Sequence, residues 1–135
     1  MSKYILIDMI QNFKPRNFQN FIPKEIHILT QADVFFTNHP HHLDTFIKII
    51  DGRSHISCRM LNQFVTKFCK INNDFIQIYD SYKNNVEQYS TKYFDPFCRK
   101  QKVEYAAYNN VKMITSVGQI NFFKWICDNN IIMLL

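Results

Sequence analysis

With 135 residues, 47% of them hydrophobic and 16% aromatic, the chain can bury a core of ordinary single-domain size, which excludes a disordered tail. Sixteen Lys and Arg against eleven Asp and Glu leave a formal charge of +5 and a pI near 9.0. That balance favours polyanions without approaching histone-like density.

Only two glycines and four prolines punctuate the sequence, so turns must draw on asparagine, which comes in pairs at 72–73, 84–85, 109–110 and 129–130. Tyr4 to Ile10 is β-branched and aliphatic and reads as a strand. No secretory or transit signal is expected, because Asp8 arrives before any long apolar run develops. Lys14 to Pro23 reads as a loop with Phe13, Phe18 and Phe21 dipping toward the core. Glu25 to Phe36 alternates loosely and predicts one or two short strands.

Pro40 to Asp51 is the clearest helix. Asn38 or His39 can cap it, Leu43, Phe46, Ile47 and Ile50 fall at helical spacing, and Gly52 supplies the left-handed residue that ends it. A second helix is predicted from about Ser54 to Ile71. Met60, Leu61, Phe64, Val65 and Phe68 make its apolar stripe, and Arg59, Gln63, Lys67 and Lys70 a polar, basic one. Joined through Gly52, the two form an αα unit.

Phe75 to Tyr79 alternates and predicts a strand, after which Asp80 or Ser81 can cap a helix reaching Lys92. Asp95-Pro96 interrupts any further helix, and Arg99-Lys100-Gln101-Lys102 makes a compact cationic turn. Val103 to Ala107 and Val111 to Ile114 flank Asn109-Asn110 as a β-hairpin. Ser116-Val117-Gly118-Gln119 fits a capping box opening a helix to about Asn129, and the apolar end Ile131 to Leu135, far too short to cross a membrane, is expected to dock. Together these elements predict an α+β chain folded as one compact domain over residues 1–135. Its central αα unit and C-terminal helix would pack with a small, mainly antiparallel sheet.

Four cysteines at positions 58, 69, 98 and 127 are expected to be reduced thiols, since the chain is larger than the usual disulfide-stapled domain and no export signal is expected; Cys58 and Cys69, roughly 16 Å apart along one helix, cannot bond to each other. His39-Pro40-His41-His42 could suggest zinc, but no C-x-x-C pair completes a tetrahedral set, and a capped helix start explains it. His55 and Cys58 stand three residues apart, yet nothing nominates an oxyanion hole. Phosphate-cradling glycine loops are missing, and Asp33, Asp44, Asp51 and Asp80 read as isolated cap or turn residues. The chain therefore reads as a non-enzyme without cofactor or metal.

The basic residues carry the functional expectation. Arg59, Gln63, Lys67 and Lys70 on the helix, with Arg99, Lys100 and Lys102 in the turn, can contact phosphates and make nucleic acid the expected partner. The alternative is a structural or interaction protein, which the density of aromatics and the apolar end favour, acting by self-association or within a larger complex.

Three segments, residues 55–73, 79–100 and 115–125, resemble a family of small proteins encoded by nucleocytoplasmic large DNA viruses, the giant viruses of protists. The strings Phe94-Asp-Pro-Phe-Cys-Arg99 and Val117-Gly-Gln-Ile-Asn-Phe-Phe-Lys-Trp125 carry the likeness most specifically. Family members usually have Asp-Trp before the Phe-Val-Thr of the first of these segments, where this chain has Asn62-Gln63. The resemblance brings no catalytic residues. It implies a viral accessory protein of the host cytoplasm, at the viral factory, with packaging into the virion as an extension.

Overall fold

The computed structural model describes residues 21–106 and 112–135. The strand expected at Tyr4 to Ile10, most of the loop before Pro23, and the Asn109-Asn110 turn lie outside these residues. Five helices and one hairpin make an α+β arrangement: α1 Pro23–Asn38, α2 Pro40–Ile50, α3 at residues 58–71, α4 Ile76–Tyr93, β1 Val103–Ala106, β2 Lys112–Thr115 and α5 Val117–Asp128. A single 3-10 turn, Ile131–Leu134, follows.

α5 is the centre of the molecule. Ile120, Phe122, Phe123, Ile126 and Cys127 are fully buried, and the helix packs chiefly on α1 and α4. Its start follows the sequence closely but with a twist. Ser116 Oγ accepts from Gln119 N at 3.1 Å, as a capping serine should. The Gln119 side chain does not return to the cap. Its Oε1 accepts from Thr115 Oγ1 at 2.7 Å and its Nε2 donates to the Pro96 carbonyl at 2.8 Å, tying β2 to the turn after α4. At the other end Ile131 is buried and Ile132 packs half-buried against the core, while Met133, Leu134 and Leu135 stay exposed, so the apolar end docks through its first two residues.

Two expected strands are helices. Residues 25–36 belong to α1, whose buried side is Ile28, Leu29, Ala32, Asp33 and Phe36. That spacing is helical, with an acid inside the apolar set. Phe75 to Tyr79 leads into α4, which presents Ile78, Tyr82, Val86 and Tyr89 to the core at helical intervals. Tertiary packing overrode the strand propensity of these β-branched and aromatic runs.

α2 ends as read. Gly52 has φ +79°, its N–H donates to the Ile49 carbonyl, and Arg53 N donates to the Lys48 carbonyl at 2.9 Å, the pair of bonds that closes a Schellman turn. α3 begins later than expected, because Ser54 Oγ accepts from Ile56 N in a turn and Ser57 is the true cap, accepting from Met60 N at 3.1 Å. Ser57→Ala should cost about 1 kcal/mol in urea-monitored stability, the usual worth of such a cap.

α4 kinks at Ser90, where φ 61° and ψ 174° lie in a region glycine prefers. Beyond the kink Tyr93 turns inward and its hydroxyl donates to Glu25 Oε2 on α1 at 3.1 Å. The hairpin pairs antiparallel, Val103 with Thr115 through Ala106 with Lys112, and buries Val103, Tyr105, Met113 and Thr115.

Asp33 is not a cap or turn residue, as its sequence context suggested. It sits mid-helix in α1, 1% exposed, with Oδ1 accepting from the Tyr105 hydroxyl at 2.7 Å. Its Oδ2 has no hydrogen-bond partner among the described residues. Burial raises its pKa to about 7 against the hydrogen bond from Tyr105, which lowers it.

Candidate nucleic-acid interface

α3 turns Leu61, Val65 and Cys69 fully inward. Residues four apart drift around an ordinary helix, since 3.6 residues complete a turn. The segment Phe64–Phe68 takes π-helical bonding, whose wider rings rotate the chain less per residue and return Cys69 to the buried side. The opposite side carries Arg59, Gln63, Lys67 and Lys70, all exposed. The structure therefore gathers the helix half of the expected basic set on one face.

That face continues onto α4. Lys70 Nζ lies 5.8 Å from the Tyr79 ring centroid, and Lys83 Nζ lies 5.7 Å from the same ring. Among the described residues none of Arg59, Lys67, Lys70 and Lys83 has a carboxylate within ion-pair distance. The pairs that do form are Asp44–Lys48, Asp51–Arg53, Asp95–Arg99 and Glu104–Lys112. Asp74 and Asp80, nearby in sequence, are exposed and bind none of these cations.

The turn after α4 behaves differently. Arg99 makes two 2.9 Å bonds to the buried Asp95 carboxylate, and this pairing raises its pKa. Its charge is answered inside the turn, so Arg99 is a structural clamp before it is a free cation. Lys100 lines a small surface pocket with Lys92, Tyr93 and Gln101. Lys24 Nζ and Lys92 Nζ each stand 5.3 Å from the Tyr93 ring. Lys100 thus gathers with Lys24 and Lys92 in a second basic group, and Lys102 is exposed just before β1. The seven expected residues therefore divide: four share the α3 face, and three belong to the turn.

Sequence reasoning missed Lys83, Lys24 and Lys92. Lys83 follows Tyr79 by four residues, a signal that speaks only once 75–79 is helical. It also placed Phe68 and Met60 in the core. Both are exposed, at 45% and 41%, and Ile71 beside them at 83%. The Phe68 ring stacks on Phe64 at 5.3 Å and 17°, with Phe75 at 5.8 Å.

The remaining constellations are less organised for chemistry. His41 and His42 rings stand 4.0 Å apart and His39 lies 5.6 Å from His42, beside a cavity of about 240 Å³ also lined by Thr45, Cys127 and Asn130. Burial, then the neighbouring His41 and His39, lower the His42 pKa. Among the described residues no three His, Cys, Asp or Glu side chains are placed to hold a metal ion. Cys58 does not pair with His55, which precedes the helix. Gln119 Nε2 approaches its Sγ at 3.7 Å, and burial raises the thiol pKa. All four cysteines are free, and no helix among the described residues is long and apolar enough to cross a membrane.

Residues 8–135 match the model of a family described as a family of unknown function, DUF7197. An uncharacterized protein of Acanthamoeba polyphaga mimivirus is 39% identical over 141 residues, covering 93% of this chain and 54% of that protein. The chain thus spans about half the length of the curated relative it matches, and the resemblance to giant-virus proteins holds. No solved structure matches.

Proposed function

Since the chain belongs to DUF7197, a family of unknown function, we propose its role from its own surface: a viral accessory protein that binds nucleic acid through the exposed face of α3, continued by Lys83 of α4. One observation carries this reading. Arg59, Lys67, Lys70 and Lys83 stand on adjoining exposed surface with no carboxylate in ion-pair reach among the described residues. Elsewhere the same chain pairs Lys48, Arg53, Arg99 and Lys112 with acids, and Lys24, Lys92, Lys100, Lys102 and Lys124 are likewise without an ion pair among the described residues, so it is the alignment of the four along α3 and α4 that counts. Lysines left unpaired along a helix suit phosphates, whose bound counterions are released when cations replace them.

The expected strength follows from the count. Four phosphate contacts give a slope of log affinity on log salt of roughly −2.8 to −3.6, so raising salt from about 50 to 200 mM weakens binding roughly 50- to 150-fold. Fluorescence anisotropy with labelled oligonucleotides measures this. Changing both Lys67 and Lys70 to Ala should flatten the slope by about 1.5. A protein retaining no nucleic acid at the lower salt ends the proposal.

A second reading rests on a different surface. Met133, Leu134 and Leu135 are exposed together after the 3-10 turn, at 82%, 44% and 41%, and would suit an apolar partner surface in a structural or interaction role. Sedimentation equilibrium separates the two. Self-association abolished by Met133→Lys, without nucleic-acid binding, favours this second role.

A further inference from the structure

Three cations of the α3 face are each followed immediately by an exposed apolar side chain: Arg59 by Met60, Lys67 by Phe68 and Lys70 by Ile71. Successive residues on a helix stand about 100° apart, so the pairs draw two neighbouring stripes along α3, one cationic and one apolar. The apolar stripe contains a fixed aromatic. Phe68 is backed by Phe64, nearly parallel at 17°, and flanked by Phe75, tilted at 39°, so its ring prolongs an existing aromatic cluster toward solvent.

We propose that this surface takes single-stranded nucleic acid, with phosphates tracking along Arg59, Lys67 and Lys70 and an unpaired base stacking on the Phe68 ring. The inference rests on the nucleic-acid reading of the same face and specifies its ligand. A ring can engage the flat face of a base only when that face is free. In a duplex both faces are covered by neighbouring bases, and the grooves offer polar edges. Flat aromatic surface beside a row of unpaired cations is what a single strand presents bases and phosphates to. Charge argues against a protein occupant, because lysine is depleted from the cores of protein interfaces whereas Lys67 and Lys70 stand beside the apolar stripe. Lys83, held over Tyr79 with Lys70, extends the phosphate track past the end of α3.

The test uses the full chain, a labelled oligothymidylate of about 20 nucleotides, and a duplex of equal length, both at about 50 mM salt. The single strand should bind at least roughly tenfold tighter than the duplex. Phe68→Leu, which keeps an apolar helix-forming residue, should weaken single-strand binding roughly 5- to 100-fold, leaving the duplex affinity and the salt slope unchanged. Phe68→Tyr, which keeps the ring, should bind as wild type. Thermal melting of both variants checks folding, and if Phe68→Leu fails to fold, the strand-to-duplex ratio of the wild type decides. Duplex binding as tight as single-strand binding overturns the inference, as does an unchanged Phe68→Leu affinity; in both cases the cationic face stands if the Lys67 and Lys70 variant loses affinity. Binding of neither ligand removes the cationic reading itself. Self-association lost in Phe68→Leu, with no oligonucleotide bound, assigns the stripe to a protein interface.

Discussion

Gly118→Ala should lower the unfolding free energy by about 1–3 kcal/mol, the usual cost of forcing an extra carbon into a packed contact. A β-carbon there would stand 2.7 Å from the Lys92 carbonyl oxygen and 3.3 Å from both Lys92 C and Phe94 N. These are backbone atoms, so no side chain can swing aside. The approach is also bonded, since Asp95 N donates to the Gly118 carbonyl at 3.2 Å. Alanine would otherwise gain about 1 kcal/mol over glycine inside a helix, so the sign of the change is diagnostic. Gly52 is the contrasting control. A β-carbon there meets nothing within 4 Å, and only its φ of +79° is at stake. Gly52→Asn should therefore be nearly neutral, because asparagine tolerates that region. Urea midpoints of the two variants decide the matter; a Gly118→Ala protein as stable as wild type means that α4 and α5 do not meet this closely.

The second large effect depends on pH. Asp33 has a folded-state pKa of about 7 against an ordinary 3.8, because its buried site disfavours the carboxylate. At low pH the folded and unfolded chains both hold the proton, and the group costs nothing extra. As pH climbs through about 4 the unfolded chain gives up its proton while the folded one keeps it. Stability then falls until about pH 7, where the folded chain ionises too. At about 1.4 kcal/mol for each pH unit, the whole loss is on the order of 4 kcal/mol. His42 works in the opposite direction, gaining stability as pH rises toward 6.5, because burial lowers its folded-state pKa. The difference between wild type and Asp33→Asn isolates the aspartate. Asparagine still accepts from Tyr105, so the variant should lack the decline between about pH 4 and 7. Equal slopes for the two proteins across that window would show that Asp33 is not held protonated.

Legibility in the sequence followed local punctuation. α2 was readable because Pro40 opens it and Gly52 closes it, both by backbone chemistry needing no distant partner. α1 was misread because its core stripe contains Asp33, whose reason for being there, the Tyr105 hydroxyl, lies 72 residues away. Gln119 shows the same limit on a smaller scale. Its spacing from Ser116 announced a capping box, yet the side chain answers Thr115 and Pro96, one adjacent and one brought near only by folding. In the candidate interface, the four-residue spacings of Arg59, Gln63 and Lys67 were enough to place them on one exposed side. The role of Arg99 was also within reach, since Asp95 precedes it by four. The exposure of Phe68 was not, because it depends on a π-helical segment that no periodicity announces.

Tyr79 has a consequence for how the protein is sensed from afar. A carboxylate between Lys70 and Lys83 would take away one of their two positive charges at every distance. An aromatic ring attracts each ammonium through its quadrupole, an influence that fades much faster with separation than that of a net charge. The two lysines are steadied at close quarters while each keeps its formal charge, which is what long-range steering of a polyanion would require of them.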